Sequence, residues 1–137
     1  MPSVVDRVVS VLQKHEGVSF TSSSREVSVP AAGADGFTVT LTTGSDARVQ
    51  VAAEGWRETF SRAEDAYDCF LLLLSDRSRL KVTLRGATPV GWQIETRAYG
   101  QWVPGRHVRR RLVPVWRRVR IERRQNRVFL SENDSGP

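Results

Sequence analysis

Trp56-Arg-Glu-Thr-Phe-Ser-Arg-Ala-Glu-Asp-Ala-Tyr-Asp-Cys-Phe-Leu-Leu-Leu-Leu74 is the stretch that decides the fold, because its apolar residues Phe60, Ala63, Tyr67, Phe70 and Leu74 recur at steps of three and four. That spacing draws one stripe along a helix. Ser61, with Glu64 three residues on, has the form of a capping box, in which hydroxyl and carboxylate satisfy backbone N–H groups that a helix start leaves unpaired. A helix over about 62–74 is therefore predicted. Its last turn, Phe70 to Leu74, is apolar on nearly every side, so it must be covered by a sheet.

Outward from this helix the pattern changes from helical to alternating. Phe37, Val39 and Leu41 alternate with threonines, Thr43 to Asp46 turns the chain, and Val49, Val51 and Ala53 come back with Arg48 and Gln50 between them. Trp56 is read as an extension of that second strand. After the helix, Leu80, Val82 and Leu84 alternate with Lys81, Thr83 and Arg85; then Val90, Trp92, Ile94, Thr96 and Ala98 give the clearest strand in the chain. Tyr99 to Gly105 contains two glycines and a proline and reads as a loop. From Leu112 to Leu130 two more strands are predicted as a terminal hairpin, the first carrying Val115, Val119 and Ile121, with Arg123 to Asn126 as its turn.

At the other end, Ser3 and Asp6 form a capping signal before Val4, Val5, Val8, Val9 and Leu12, which predicts a helix over residues 4–15. A short strand near 25–29 follows, and Pro30 to Gly36 is a surface connection. Two helices among short-looped strands predict one α+β domain over residues 1–131. Its largely antiparallel sheet has about six or seven strands, the central helix packs on that sheet, and residues 132–137 form a frayed tail.

One cysteine, Cys69, leaves no internal disulfide, and the residues around Asp6, Arg7, Lys14 and Glu16 lack the unbroken apolar core of an export signal, so a cytoplasmic protein is expected. The longest apolar run falls far short of the roughly 20 residues of a membrane helix, so no membrane contact is expected. Neither the spaced Cys/His pairs of a zinc site nor the glycine-rich turn of a nucleotide cradle is present, and no cofactor is implied. Cys69 beside Asp68 and Phe70 reads as an inert thiol. His15 and His107 have no triad partner that the sequence can place, and Glu64 with Asp68 is too small a set for a metal. A metal-dependent enzyme is the remote alternative; the expectation is no catalysis.

What stands out is charge. Of the net +6, residues 100–137 hold 10 arginines against three acidic residues, a local balance of +7, while residues 1–99 sum to −1. Arginine-rich codon usage accounts for the scarcity of lysine, but not for this clustering. Arg106, Arg109, Arg110, Arg111, Arg117, Arg118, Arg120, Arg123 and Arg124, with Trp102 and Trp116, are thus the candidate site for an unknown anionic macromolecule. A protein partner is favoured over nucleic acid, because no RRM, KH or helix-turn-helix signature accompanies the arginines. The nucleic-acid alternative has the same arginines on phosphates and Trp102 or Trp116 stacked on bases. A plainer reading makes the arginines a solvated hairpin face that discourages edge-to-edge aggregation.

Overall fold

The computed structural model describes residues 3–15, 17–31, 33–110 and 116–129. Arg111, the predicted strand start from Leu112 to Val115, Leu130 and the tail 132–137 lie outside the described residues.

Among the described residues, two helices and nine strands make an α+β fold with two antiparallel sheets. Helix α1 (Val4–Gln13) is followed by β1 (Thr21–Ser22), β2 (Glu26–Val29), β3 (Val39–Thr43), β4 (Val49–Ala53) and β5 (Trp56–Phe60), which form a five-stranded meander in chain order. Helix α2 (Ala63–Leu74) then crosses to β6 (Ser78–Arg85), β7 (Thr88–Ala98), β8 (Gln101–Arg109) and β9 (Val119–Arg124), whose order is β8-β7-β6-β9. Strands are paired within each half of the chain, so α2 is the hinge of the topology as well as its core.

The expected alternation decides which face of each strand points inward. Val39, Leu41, Val49, Val51 and Ala53 from the first sheet, Leu80, Val82, Leu84 and Ile94 from the second, and Val8, Leu12, Phe70, Leu73 and Leu74 from the helices share one buried cluster. Helix α1 is capped as the sequence implies: the Ser3 hydroxyl accepts from the Asp6 N–H at 3.1 Å and the Asp6 carboxylate accepts from the Ser3 N–H. The capping box predicted at α2 does not form. The helix starts one residue later than the motif requires: Arg62, whose guanidinium has no acceptor, is the N-cap, and the Glu64 carboxylate pairs instead with Arg7 of α1 at 2.7 Å.

Four further readings are corrected. Trp56 does not extend β4: Glu54 adopts a φ of 55°, the chain reverses through Gly55, and Trp56 opens β5 as a buried residue. Gly55 is required there, since a Cβ would lie 2.4 Å from the Trp92 ring. The predicted loop Tyr99 to Gly105 is mostly strand. Tyr99 and Gly100, both at positive φ, make the two-residue hairpin turn, and Pro104 is accommodated at a register shift on an edge strand, where a missing donor is tolerated. The single sheet expected is two. Finally, among the described residues the terminal hairpin does not form: β9 pairs antiparallel with β6, so Arg123 and Arg124 lie within a strand and not in a turn.

After β9 the chain clips both halves together. The buried Asn126 side chain accepts from the Phe37 N–H and donates to the carbonyls of Phe37 and Leu73, while the Val128 and Phe129 N–H groups donate to the Leu74 carbonyl. Phe129 also forms a parallel bridge with Ser75.

Candidate binding face on the four-stranded sheet

Because Leu80, Val82 and Leu84 turn inward, the period of two places Arg79, Lys81, Thr83 and Arg85 on the opposite, outer face. Residues paired across a sheet share a face, so the register carries that face onto three more strands. One row reads Arg123, Lys81, Gln93, His107; the next reads Ile121, Thr83, Gly91, Arg109. Arg79 pairs with Glu95, Arg85 with Val119, and Arg97 with Trp102. Neither helix packs on this face; both lie on the inner side with the five-stranded sheet.

The outer face has two ends of different electrostatic character. At the Tyr99 end, Glu95 is only 8% exposed and accepts on one oxygen from Arg79 Nε at 2.7 Å and Arg123 Nε at 3.1 Å. Burial by itself would push the Glu95 carboxyl up, but the two guanidinium hydrogen bonds outweigh it and hold the group below the usual carboxylate range. The Arg79 guanidinium lies 4.1 Å over the Trp102 ring. Beside this triad opens a cleft of about 850 Å3, lined by Arg79, Arg97, Arg124, Arg127 and Trp102 but also by Asp35 and Asp76. Arg124, on the inward side of β9, bonds Glu54 at the β4–β5 turn and Glu122 at 3.2 Å. Cations and carboxylates at this end are close to balanced.

At the Gly86 end they are not. Among the described residues, Lys81, Arg109, Arg117 and Arg118 form no ion pair. Arg117 lies along the β6–β7 turn, its Cδ 3.4 Å from where a Gly86 Cβ would be. His107 reaches across the centre of the face, with Nε2 3.0 Å from the position of a Gly91 Cβ. Burial, then the fields of Arg109 and Lys81, pull its pKa below the ordinary 6.5.

The eleven residues expected as one site are therefore distributed. Arg106 and Arg109 belong to β8 on one edge, and Arg120, Arg123 and Arg124 to β9 on the other. Arg106 donates from Nε to the Arg57 carbonyl and Arg110 from Nη1 to the Pro89 carbonyl, Arg120 meets Glu122 at 3.4 Å, and Arg123 and Arg124 have the carboxylate partners above. Trp116 is 77% exposed just ahead of β9. Arg109, Arg117 and Arg118 have no ion-pair partner among the described residues. What the sequence reading missed as site residues are Lys81, Thr83, Gly91 and His107. The alternation around Leu80, Val82 and Leu84 had already put Lys81 and Thr83 on a solvent face, but only the register shows that His107 and Arg109 join them.

Other chemistry finds little support. Burial, then the nearby Glu58 charge, pushes the Cys69 thiol up to about 12, far from a reactive thiolate. Among the described residues, no three His, Cys, Asp or Glu side chains gather where they could hold a metal ion, and no helix is long and apolar enough to cross a membrane. Comparison of the chain with family models, curated proteins and solved structures finds no match.

Proposed function

We propose that this chain is a non-catalytic interaction module, acting in the cytoplasm, that docks an anionic protein on the outer face of its four-stranded sheet, at the Gly86 end. The observation that carries the reading is Lys81 and Arg109 on a sheet face that neither helix covers, with Arg117 and Arg118 beside the β6–β7 turn at its end, all four without acidic partners among the described residues. Exposed Val119 and Ile121 of β9 belong to the face itself, and exposed Trp116 precedes them in the chain. Apolar and aromatic contacts among arginines are the composition of protein docking surfaces. For nucleic acid the stacking surface is thinner. Trp102 already carries the Arg79 guanidinium on its ring, so of the two tryptophans expected to stack, Trp116 is the more open.

Poly-glutamate titrated into the full chain, with a single-stranded oligonucleotide in parallel, tests the reading. The expected result is saturable poly-glutamate binding that weakens as salt rises and that the double charge reversal Lys81→Glu, Arg109→Glu reduces at least about tenfold. Absence of poly-glutamate binding at low salt overturns the proposal. Tight oligonucleotide binding that exceeds it replaces the protein partner with nucleic acid.

A further inference from the structure

The two edges of the four-stranded sheet are not alike. β8 carries Pro104 beside a register shift, and β5 lies against it, Trp56 Nε1 donating to the Arg106 carbonyl and Arg106 Nε to the Arg57 carbonyl. A proline, a bulge and a covering strand are ways in which sheets blunt an edge. Among the described residues β9 has none of these: it pairs with β6 from Val119 to Arg124 in unbroken register. The Arg118 carbonyl accepts from the Gly86 N–H, which makes these two a hydrogen-bonded pair and fixes the alternation that follows. Arg120, Glu122 and Arg124 turn their backbone groups to β6, whereas Val119, Ile121 and Arg123 turn theirs away from it. Nothing among the described residues bonds to those outward groups. The next outward N–H, that of Gln125, is already held by the chain's own backbone, at the Asp35 carbonyl 2.8 Å away. The edge ladder thus has one rung filled and the adjoining ones open.

We infer that an extended acidic segment of the docked partner adds to β9 as a fifth strand, antiparallel to it, over Val119 to Arg123. The inference rests on the docking reading and names the form in which the partner binds, since β9 borders the docking face and Val119 lies opposite Arg85 at its Gly86 end. Main-chain bonds to the outward groups hold such a segment, and alternate side chains set what it must be. Val119 and Ile121 are exposed on the outer face, so apolar residues belong opposite them. On the other side of the strand Arg120 meets Glu122 at 3.4 Å yet stays exposed, with exposed Arg118 just ahead of it, and acids belong there. The same charges choose between occupants. Residues 116–124 hold five arginines and one glutamate, so a second copy of this chain laid along the edge would set arginine against arginine, whereas an acidic strand meets the opposite sign. Antiparallel pairing joins all neighbouring strands of both sheets and lets each bonded residue exchange both bonds with its opposite. The apolar residues of the segment therefore carry the amides that bond β9.

The experiment titrates a short peptide of alternating valine and glutamate into the full chain and follows amide hydrogen exchange by NMR. The Ile121 and Arg123 amides are expected to slow at least about tenfold at saturation, and those of Arg120 and Glu122, already bonded to β6, to change far less. Methylating the valine nitrogens of the peptide is expected to weaken binding at least about tenfold, and methylating the glutamate nitrogens to leave it within about threefold. Ile121→Pro removes an N–H that does not serve β6, so the variant is expected to fold and to lose peptide affinity about tenfold; the methylated peptides test the same bonds on the unaltered chain. Unprotected Ile121 and Arg123 amides, or a valine-methylated peptide that binds as tightly as its parent, overturn the inference. So does equal binding of a valine–glutamine peptide, or protection of the same amides by rising protein concentration alone, which seats a second copy on the edge. Poly-glutamate binding that persists in those events leaves the docking face standing, whereas amide protection by the peptide without poly-glutamate binding sinks the docking reading and keeps the added strand.

Discussion

The two ends of the outer sheet face differ in one residue more than in any other. At the Tyr99 end Glu95 lies between Arg79 and Arg123, so two guanidinium groups serve the protein's own carboxylate and are oriented by it. At the Gly86 end the same strand, β7, offers Gly91 and Gln93, and among the described residues Lys81 and Arg109 beside them have no carboxylate partner. Placing one carboxylate on a central strand thus divides a uniformly basic face into a structural half and an open half. An arginine's abundance says little about its role; its nearest acid says more.

That division is testable from both sides. Glu95→Gln keeps the shape and removes the charge, stranding Arg79 and Arg123 against each other. The expected loss is about 2–3 kcal/mol in denaturant unfolding, less than the roughly 3–5 of a fully buried pair because both guanidinium groups reach water. Stability unchanged by this substitution would erase the distinction between the ends. A smaller effect compares single arginines: Arg124→Ala, which breaks the bonds to Glu54 and Glu122, is expected to lower stability by about 1 kcal/mol, and Arg118→Ala to change it by less than about 0.5.

The smallest expected effect is in pH dependence, and it separates the ends by window. Glu95 has a folded pKa below its ordinary 4.5, so the unfolded chain binds that proton first. Its contribution is complete above 4.5 and is lost as pH falls through the folded value. His107 is likewise depressed, below 6.5, so the unfolded chain takes its proton first and stability declines as pH falls from 6.5 through the folded value. Urea midpoints measured across pH should therefore show a shallow decline below 6.5 that His107→Gln removes, and a steeper one below 4.5 that Glu95→Gln removes.

Much of the architecture was legible because alternation is a local signal. Leu80, Val82 and Leu84 announced both the strand and its solvent face, and the apolar run to Leu74 announced the central helix, although Phe60 ends β5, Ala63 is exposed, and the buried helix face is Ala66, Phe70, Leu73 and Leu74. The failures share a cause as well. Pro104 and Gly105 read as breakers, yet β8 is an edge strand in which a proline and a bulge are admissible, and edge position is a property of the sheet. Ser61 and Glu64 matched a capping motif, but Arg7 from another helix took the carboxylate. For the site, clustering of arginines along the chain was mistaken for clustering in space: β8 and β9 lie at opposite edges, with β7 and β6 between them.

Composition and periodicity by themselves determined that this chain folds as an α+β protein around one apolar helix, that Leu80, Val82 and Leu84 point inward, and that an excess of arginine lies near its C-terminal end. Which of those arginines remain open to another molecule was decided only by the tertiary structure. Burial is set by neighbours three or four residues away, whereas ion pairing and the assembly of Lys81, Gly91, His107 and Arg109 depend on strand order and register, which join residues tens of positions apart.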